Sequence, residues 1–219
     1  HLRLGSIEQF PFIDKPDSRF VRDGYGLLYE LGAMDEKKNL TSLGRTLAAL
    51  PVDPRIGRMV IEATQQASLK EVLIVASALT VQDPRERPYE FRQRADEAHK
   101  KFQDERSDFL SLITLWQFYE EQRQRLSQNQ LKQCCRENFL SHARMKEWRD
   151  IHHQLRVTCK QLGFEENQHD ADYASIHKAI LAGLLSQMGC KTSEGDYQGA
   201  RNSRFVMAPG SPLARKKPQ

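Results

Sequence analysis

The stretch DPRIGRMVIEATQQASLKEVLIVASALTV, residues 53–81, decides the fold. It opens with Asp53 and Pro54, an N-cap residue followed by proline at the first helical position. Apolar side chains then recur every three or four residues, which is the spacing of one buried helix face: Ile56, Met59, Val60, Ala63 and Ala67. The run from Leu69 to Val81 is apolar almost all round. The stretch therefore predicts an amphipathic helix followed by a central, buried helix.

Helical patterning continues on the C-terminal side as far as residue 163. A polar helix is predicted to about Asp104, Ser107 caps the next helix, and Ser127 and Ser141 have the sequence context of further N-caps. From residue 145 an apolar stripe, which we interpret as core, follows one helix face: Met145, Trp148, Ile151, Leu155, Cys159 and Leu162. Residues 53–163 are predicted to form a compact helical bundle.

The N-terminal side indicates a small winged-helix unit. Residues 9–17 contain two prolines and are predicted to be extended. Helical spacing begins near Ser18 and stops at Gly32. After a polar turn, Thr41 caps a short helix that runs to Leu50. Two helices and a short strand-like piece in so few residues are typical of a winged helix.

The C-terminal part changes character. A helix is predicted from about Ala171 to Leu185, followed by two strand-like pieces near 184–191 and 203–208 with glycines and prolines between and around them. About 35 residues are too few to close a barrel, so the sequence predicts a truncated β-domain. The predicted fold class is mainly α: a winged-helix unit, a helical bundle and a short β segment.

Composition excludes several classes of protein. The longest uncharged apolar run, Val72 to Val81, has ten residues, about half of what a membrane span needs, so we expect no membrane contact. Four cysteines without C-x-x-C spacing predict reduced thiols and a cytoplasmic location. Because the chain begins with His1 rather than Met, we expect it to be a piece of a longer protein.

One apparent catalytic motif is interpreted as a helix face. Residues 96–99 read D-E-A-H, which in helicase motors follows an apolar strand and places acids on the Mg²⁺ of ATP. Here the polar residues 92–95 precede it, and no G-x-x-x-x-G-K-[ST] loop is present. We interpret Glu97 and Lys101 as an i,i+4 pair on a solvated helix. His152 and His153 lack the spacing of a metal pair, so no catalytic residue, metal or cofactor is expected in this chain.

Basic residues are the positive chemical signal. The net charge is only +4, but from Tyr197 to the end there are five Lys/Arg and no acid. Tyr197 and Phe205 are candidates for stacking on bases. Ordinary surface charge gives the same pattern, so spacing alone leaves both interpretations open. The candidate nucleic-acid residues are Arg85, Arg87, Lys132, Arg136, Arg144, Lys146, Arg201 and Arg204, with Arg149 beside them.

Several motifs together resemble the region that follows the motor in DEAH-box RNA helicases. They cover nearly the whole chain in the same order, and two of them, VQDPRERP (81–88) and RMKEWRDIHHQL (144–155), are most similar to bacterial HrpA-type enzymes. The other motifs are FPFIDKPD (10–17), LLYELGAMD (27–35), LTSLGRTLAALPVDPRIGRMV (40–60), SDFLSLITLW (107–116), CCRENFLS (134–141), AGLLSQMG (182–189) and FVMAPGSPL (205–213).

The resemblance implies a winged-helix domain at 1–60, a helical ratchet domain at 61–165, and a linker helix with the truncated start of an OB-fold at 166–219. It implies single-stranded RNA and the motor domains of the parent helicase as partners. ATP and Mg²⁺ would bind to those motor domains, and this fragment would be catalytically silent. Family members often carry Arg where His152 stands, so no contact is assigned there.

Two other functions remain open at this point. The chain could be an interaction scaffold that docks on the motor without touching RNA, or, more distantly, a winged-helix transcription factor. The arrangement of the candidate Arg and Lys residues should discriminate between the first two. Convergence on one groove favours RNA, and scatter favours the scaffold.

Overall fold

A computed structural model describes Ile7 and residues 10–216, apart from the side chains of Arg201 and Arg215. Within these residues the chain is mainly helical, with a small antiparallel sheet near its C-terminal end. This confirms the predicted fold class. No helix of the described part is long and apolar enough to cross a membrane.

The first helices form the winged-helix unit. Helix α1 (Ser18–Glu30) is capped by Asp17, and α2 (Ser42–Leu47) by Thr41, whose side chain accepts a hydrogen bond from the Gly44 amide. Between them Met34 and Leu40 form an antiparallel bridge. Helix α2 ends before the predicted Leu50, because the Leu50 amide donates to the Leu47 carbonyl in a tighter turn. Helix α1 contains no buried residue.

Seven helices follow as far as residue 183, with α4 at their centre. Nine of the ten residues of α4 are buried, and it packs against α3, α6, α8 and α9. The predicted central helix is thus confirmed, although it ends at Ala78 rather than Val81. The bounds are α3 (Pro54–Gln65), α4 (Leu69–Ala78), α5 (Arg92–Lys100), α6 (Asp108–Arg125), α7 (Gln128–Glu137), α8 (His142–Gln161) and α9 (Tyr173–Gly183).

The apolar stripe of α8 is core, as predicted. Trp148 is fully buried, and its indole Nε1 donates to the Ile74 carbonyl and to Ser77 Oγ, both at 3.0 Å. The ring of Trp116 on α6 lies 5.1 Å from it. The stripe therefore joins α8 to α4 and α6.

Helix α9 packs very closely against α3. A Cβ atom placed on Gly183 would lie 2.2 Å from the Arg55 carbonyl oxygen, so only glycine permits this contact. The predicted domain limits at residues 60 and 165 remain predictions. Helix α3 runs continuously through residue 60, and α9, which lies beyond residue 165, packs against α3.

A three-stranded antiparallel sheet follows α9. Its strands are β1 (Gly189–Lys191), β2 (Tyr197–Gly199) and β3 (Arg204–Phe205), in sequential order. Strand β2 was not predicted, and residues 185–187 form a 3₁₀ turn instead of the start of a strand. A short helix, α10 (Leu213–Lys216), ends the described part. The start of an OB-fold remains a prediction.

Candidate nucleic-acid interface

The loop of residues 82–88, here called the arginine loop, is fixed to the turn between α7 and α8. The Glu86 amide donates to the Phe139 carbonyl at 2.8 Å, and the Ser141 amide donates to the Pro84 carbonyl at 2.8 Å. Phe139 has a φ of 51°, a left-handed conformation that is unfavourable for a bulky residue. Its carbonyl also meets Nε2 of the buried His99 at 3.1 Å. These contacts hold the strained turn in place.

Two of the predicted arginines meet at Asp83. The carboxylate of Asp83 accepts from the Arg85 guanidinium at 2.7 Å and from the Arg85 amide at 2.9 Å. The Arg144 guanidinium donates to the Asp83 carbonyl at 3.1 Å. Burial opposes the charge of Asp83, but the Arg85 guanidinium outweighs burial and holds the pKa of Asp83 below its usual value. Arg85 and Arg144, 59 positions apart, therefore share one anchor.

Arg87 forms an ion pair with the first residue of the D-E-A-H string. Its guanidinium lies 2.6 and 2.7 Å from the two carboxylate oxygens of Asp96. The sequence predicted an ion pair between Glu97 and Lys101, but Glu97 pairs with Lys100 instead, at 2.5 Å. The prediction that this helix face is solvated was also wrong for His99, which is buried. Both acids of the string therefore lie on helix α5, and each forms an ion pair with a basic side chain.

Three further candidates are exposed on α7 and α8. Lys132 and Arg136 are at i,i+4 on α7, so they share a face, and Lys146 lies near the start of α8. Burial lowers the pKa of His142, and the charges of Lys132 and Lys146 lower it further, so both lysines are near enough to act on this imidazole electrostatically. None of the three has an ion-pair partner among the described residues.

Of the two candidates in or beside the sheet, Arg204 is the one whose side chain is described. Arg204 pairs with Glu194 at 2.7 Å and Asp196 at 3.5 Å, both in or beside the β1–β2 turn. The side chain of Arg201 is outside the described residues. Tyr197 is 5% exposed and stacks against Phe205, with ring centroids 5.7 Å apart. The predicted stacking role of Tyr197 is therefore wrong, because its ring is covered.

Sequence reasoning missed two aromatic side chains beside the arginine loop. Tyr89 and Phe91 form a 3₁₀ turn directly after Pro88, and the Phe91 ring lies 6.4 Å from that of Phe139. The guanidinium of Arg92 lies 4.9 Å from the Tyr89 ring centroid. The alternation of aromatic residues and arginines in PYEFRQR (88–94) was the signal that could have revealed them.

The structure thus brings most of the candidates to one area, here called the loop–turn surface: residues 83–94, with residues 132–146 of α7, α8 and their turn. These segments contain Arg85, Arg87, Lys132, Arg136, Arg144 and Lys146. Arg85 and Arg144 meet at Asp83, whereas Arg204 belongs to the sheet and pairs there with Glu194. Arg149 lies further along α8, 3.5 Å from Asp150.

His152 and the cysteines Cys135 and Cys159 are packed side chains, whereas His153 is exposed. Burial lowers the pKa of His152 to about 4, with a further contribution from Arg156, and the ring lies 4.5 Å from that of Trp116. Burial raises the pKa of both Cys135 and Cys159 to about 11, which keeps these thiols protonated. Within the described part of the chain, no group of three His, Cys, Asp or Glu is arranged to hold a metal ion.

Comparison with known proteins gives matches along the whole chain. Residues 26–52 match the winged-helix part of the helicase associated domain (HA2), and residues 53–112 match its ratchet-like part. The chain is 45% identical over its full length to an ATP-dependent RNA helicase HrpA homolog of Haemophilus influenzae, and 47% identical to the ATP-dependent RNA helicase HrpA of Escherichia coli. It spans only 17% of the length of each.

A plant protein is a more distant relative. The pre-mRNA-splicing factor ATP-dependent RNA helicase DEAH10 of Arabidopsis thaliana is 27% identical over the full chain, which covers 32% of that protein. The similarity therefore extends over this whole chain and over a minor part of each of these relatives.

Proposed function

We propose that the chain guides RNA in a DEAH-box RNA helicase of the cytoplasm, because residues 26–112 match the two parts of the helicase associated domain (HA2). It contributes one wall of a channel for single-stranded RNA beside the motor domains. Those motor domains bind ATP and Mg²⁺, and the present chain hydrolyses no ATP itself.

The observation that supports this proposal is that the arginine loop, which contains Arg85 and Arg87, is joined to the turn between the two basic helices α7 and α8. The backbone bonds between the arginine loop and residues 139–141 join parts of the chain that are about 55 positions apart. Lysine and arginine attract phosphate whatever the base sequence. The surface is therefore suited to the RNA backbone, and its binding should tolerate any sequence.

The ion pair of Arg87 does not prevent phosphate binding. Arg87 is 52% exposed in its pair with Asp96, and an exposed pair contributes only about 0.2–1 kcal/mol. A phosphate group can therefore compete with the carboxylate. Lys132, Arg136 and Lys146 form no ion pair with a described acid, so their positive charges attract the RNA strand first.

A second function, docking on another protein domain, is favoured by α1. Phe20 on this helix is 75% exposed, and Ile13 just before it is fully exposed. An apolar face left open in this way favours contact with a protein partner, and we infer that the motor domains provide it. Docking through α1 and RNA contact through the loop–turn surface use different parts of the chain.

The test is RNA binding by a double variant, Lys132→Ala with Arg136→Ala. Fluorescence anisotropy of labelled 12-nucleotide oligo(U) and of a mixed-sequence RNA is measured from low to physiological salt. The loss of two phosphate contacts should lower the slope of log affinity against log salt by about 1.4 for a single strand. Affinity should fall by a similar factor for both RNAs.

The matched control is Lys37→Ala with Lys160→Ala, which removes the same charge elsewhere. Lys37 lies in the turn before α2, and Lys160 lies at the far end of α8, about 21 Å from Lys146 at 1.5 Å per residue. The control should keep the slope of the unaltered chain. No binding of either RNA by the chain at low salt, or equal losses in the two double variants, would refute the proposal.

A further inference from the structure

The most exposed aromatic ring of the described residues lies on the loop–turn surface. Tyr89 is 82% exposed, whereas most tyrosines in folded proteins are at least partly covered. Its backbone is nevertheless fixed. Pro88 precedes it, the Phe91 amide donates to the Pro88 carbonyl at 3.0 Å, and Phe91 contacts the ring of Phe139. The result is a ring that projects into solvent from an anchored turn.

The ring already has one planar partner. The Arg92 guanidinium lies over it, 4.9 Å from the centroid, in the geometry of a cation–π contact. Because the ring remains 82% exposed in this arrangement, there is room for a second planar group on it. A nucleic-acid base is such a group, and every base has a flat face that stacks on an aromatic ring.

Charge points to stacking rather than to phosphate attraction at this position. Residues 85–97 contain four arginines and four acids, among them Glu86 and Glu90 on either side of Tyr89. The charges of this segment balance, so the first attraction of a polyanion comes from the cations of α7 and α8. The unpaired cations Lys132 and Arg136 lie on α7, which leads into the turn that Phe91 contacts. Backbone attraction and base contact are thus provided by neighbouring parts of one surface.

We propose that Tyr89, backed by Arg92, stacks on an unpaired base of single-stranded RNA, so that the loop–turn surface selects single strands over duplexes. The inference rests on the proposed function and adds a base contact to it. In a duplex the base faces are stacked inside the helix and cannot reach a side chain, whereas a single strand exposes them. Charge on α7 and α8 alone would bind both forms.

The experiment compares three ligands and three variants of the chain. The ligands are 12-nucleotide oligo(U), an abasic ribose-phosphate oligomer of the same length, and a 12-base-pair RNA duplex. The variants are Tyr89→Ala, Tyr89→Phe, and Tyr29→Ala as a control, since Tyr29 is also exposed (55%) but lies on α1. Thermal melts of all three should match the unaltered chain, because both tyrosines are exposed.

The expected result is a loss that depends on the base. Tyr89→Ala should weaken oligo(U) binding by about 5- to 100-fold, the range for losing one stacked base, while Tyr89→Phe and Tyr29→Ala remain within about twofold. Binding of the abasic oligomer and of the duplex should not change. The salt dependence for oligo(U) should keep its slope, because no phosphate contact is lost.

Failure of this inference differs from failure of the proposed function. If Lys132→Ala with Arg136→Ala weakens oligo(U) binding but Tyr89→Ala does not, the stacking role is overturned and the proposed function stands. Equal losses of oligo(U) and the abasic oligomer in Tyr89→Ala also overturn stacking. If the unaltered chain binds none of the three ligands, the proposed function fails first, and the inference fails with it.

Discussion

Removing the Trp148 side chain should be among the most damaging single changes to the helical bundle. The ring is fully buried between α8, α4 and the ring of Trp116, 5.1 Å away. Truncation of a buried tryptophan to alanine costs about 3–5 kcal/mol, through lost burial and the cavity that remains. Since folded domains are stable by only about 5–15 kcal/mol, Trp148→Ala should remove a large fraction of the free energy of unfolding.

A second substitution separates the hydrogen bonds from the packing. Trp148→Phe keeps an aromatic ring but removes the Nε1–H donor to the Ile74 carbonyl and to Ser77 Oγ. Ser77 Oγ itself donates to the Leu73 carbonyl at 2.7 Å, so it acts as an acceptor for the indole. We expect Trp148→Phe to cost about 1–2 kcal/mol, with a net hydrogen bond contributing about 0.5–1.5 kcal/mol of it.

Urea denaturation followed by circular dichroism measures these changes. A double-mutant cycle of Trp148→Phe with Ser77→Ala should give a coupling energy of about 0.5–1 kcal/mol. Val157→Ala is the control, because Val157 is on the same helix but 42% exposed, and it should change stability by about 0.5 kcal/mol or less. A loss below about 1 kcal/mol in Trp148→Ala, or additivity in the cycle, would refute this account of the core.

Three further outcomes are expected. Gly183→Ala should destabilise the chain by about 1–3 kcal/mol in urea denaturation, because the new Cβ would collide with the Arg55 carbonyl 2.2 Å away; Gly24→Ala, with no atom within 4 Å, should be neutral or stabilising, and equal losses would contradict the close contact. His152, with its pKa lowered to about 4, stays neutral in the folded state while the unfolded state takes up a proton below about pH 6.5. The stability that neutral His152 gives the folded state is therefore complete above pH 6.5, and it declines by up to about 3 kcal/mol as the pH falls towards 4. In denaturation at several pH values, the free energy of unfolding should fall less steeply with pH in His152→Gln. Parallel curves for the two proteins would contradict this. Glu97→Gln should leave stability within about 0.5 kcal/mol, and isothermal titration of the chain with Mg-ATP should give no binding heat; micromolar binding would overturn the interpretation of the D-E-A-H string as a helix face.

The elements that the sequence predicted well are those whose signal is local. Asp53 and Pro54 mark the start of α3, and the apolar run from Leu69 marks α4, because capping and continuous burial are properties of adjacent residues. Strand β2 could not be predicted in this way, since three residues, Tyr197–Gly199, are too few to show an alternating pattern. Its pairing with β1 and β3 is what makes it a strand.

The candidate site shows the same division. Residue type was enough to select Arg85, Arg87 and Arg144 as cations that could contact phosphate. It could not show that Arg85 and Arg144 converge on Asp83, because that requires the arginine loop to pair with a turn far away in the sequence. His99 was expected to be solvated from its charged neighbours, but its contact with Phe139, 40 positions away, buries it.

The contact of Gly183 with Arg55 has a consequence for the order of events during synthesis. The face of α3 that contains Met59, Val60 and Ala63 is fully buried in the finished protein, and α9 supplies much of its cover. More than a hundred residues separate the two helices, which at about 5–20 residues per second means a wait on the order of ten seconds on the ribosome. Through that interval a nascent chain presents an uncovered apolar helix, and it gains the complete bundle only once Gly183 has emerged and can approach the Arg55 backbone.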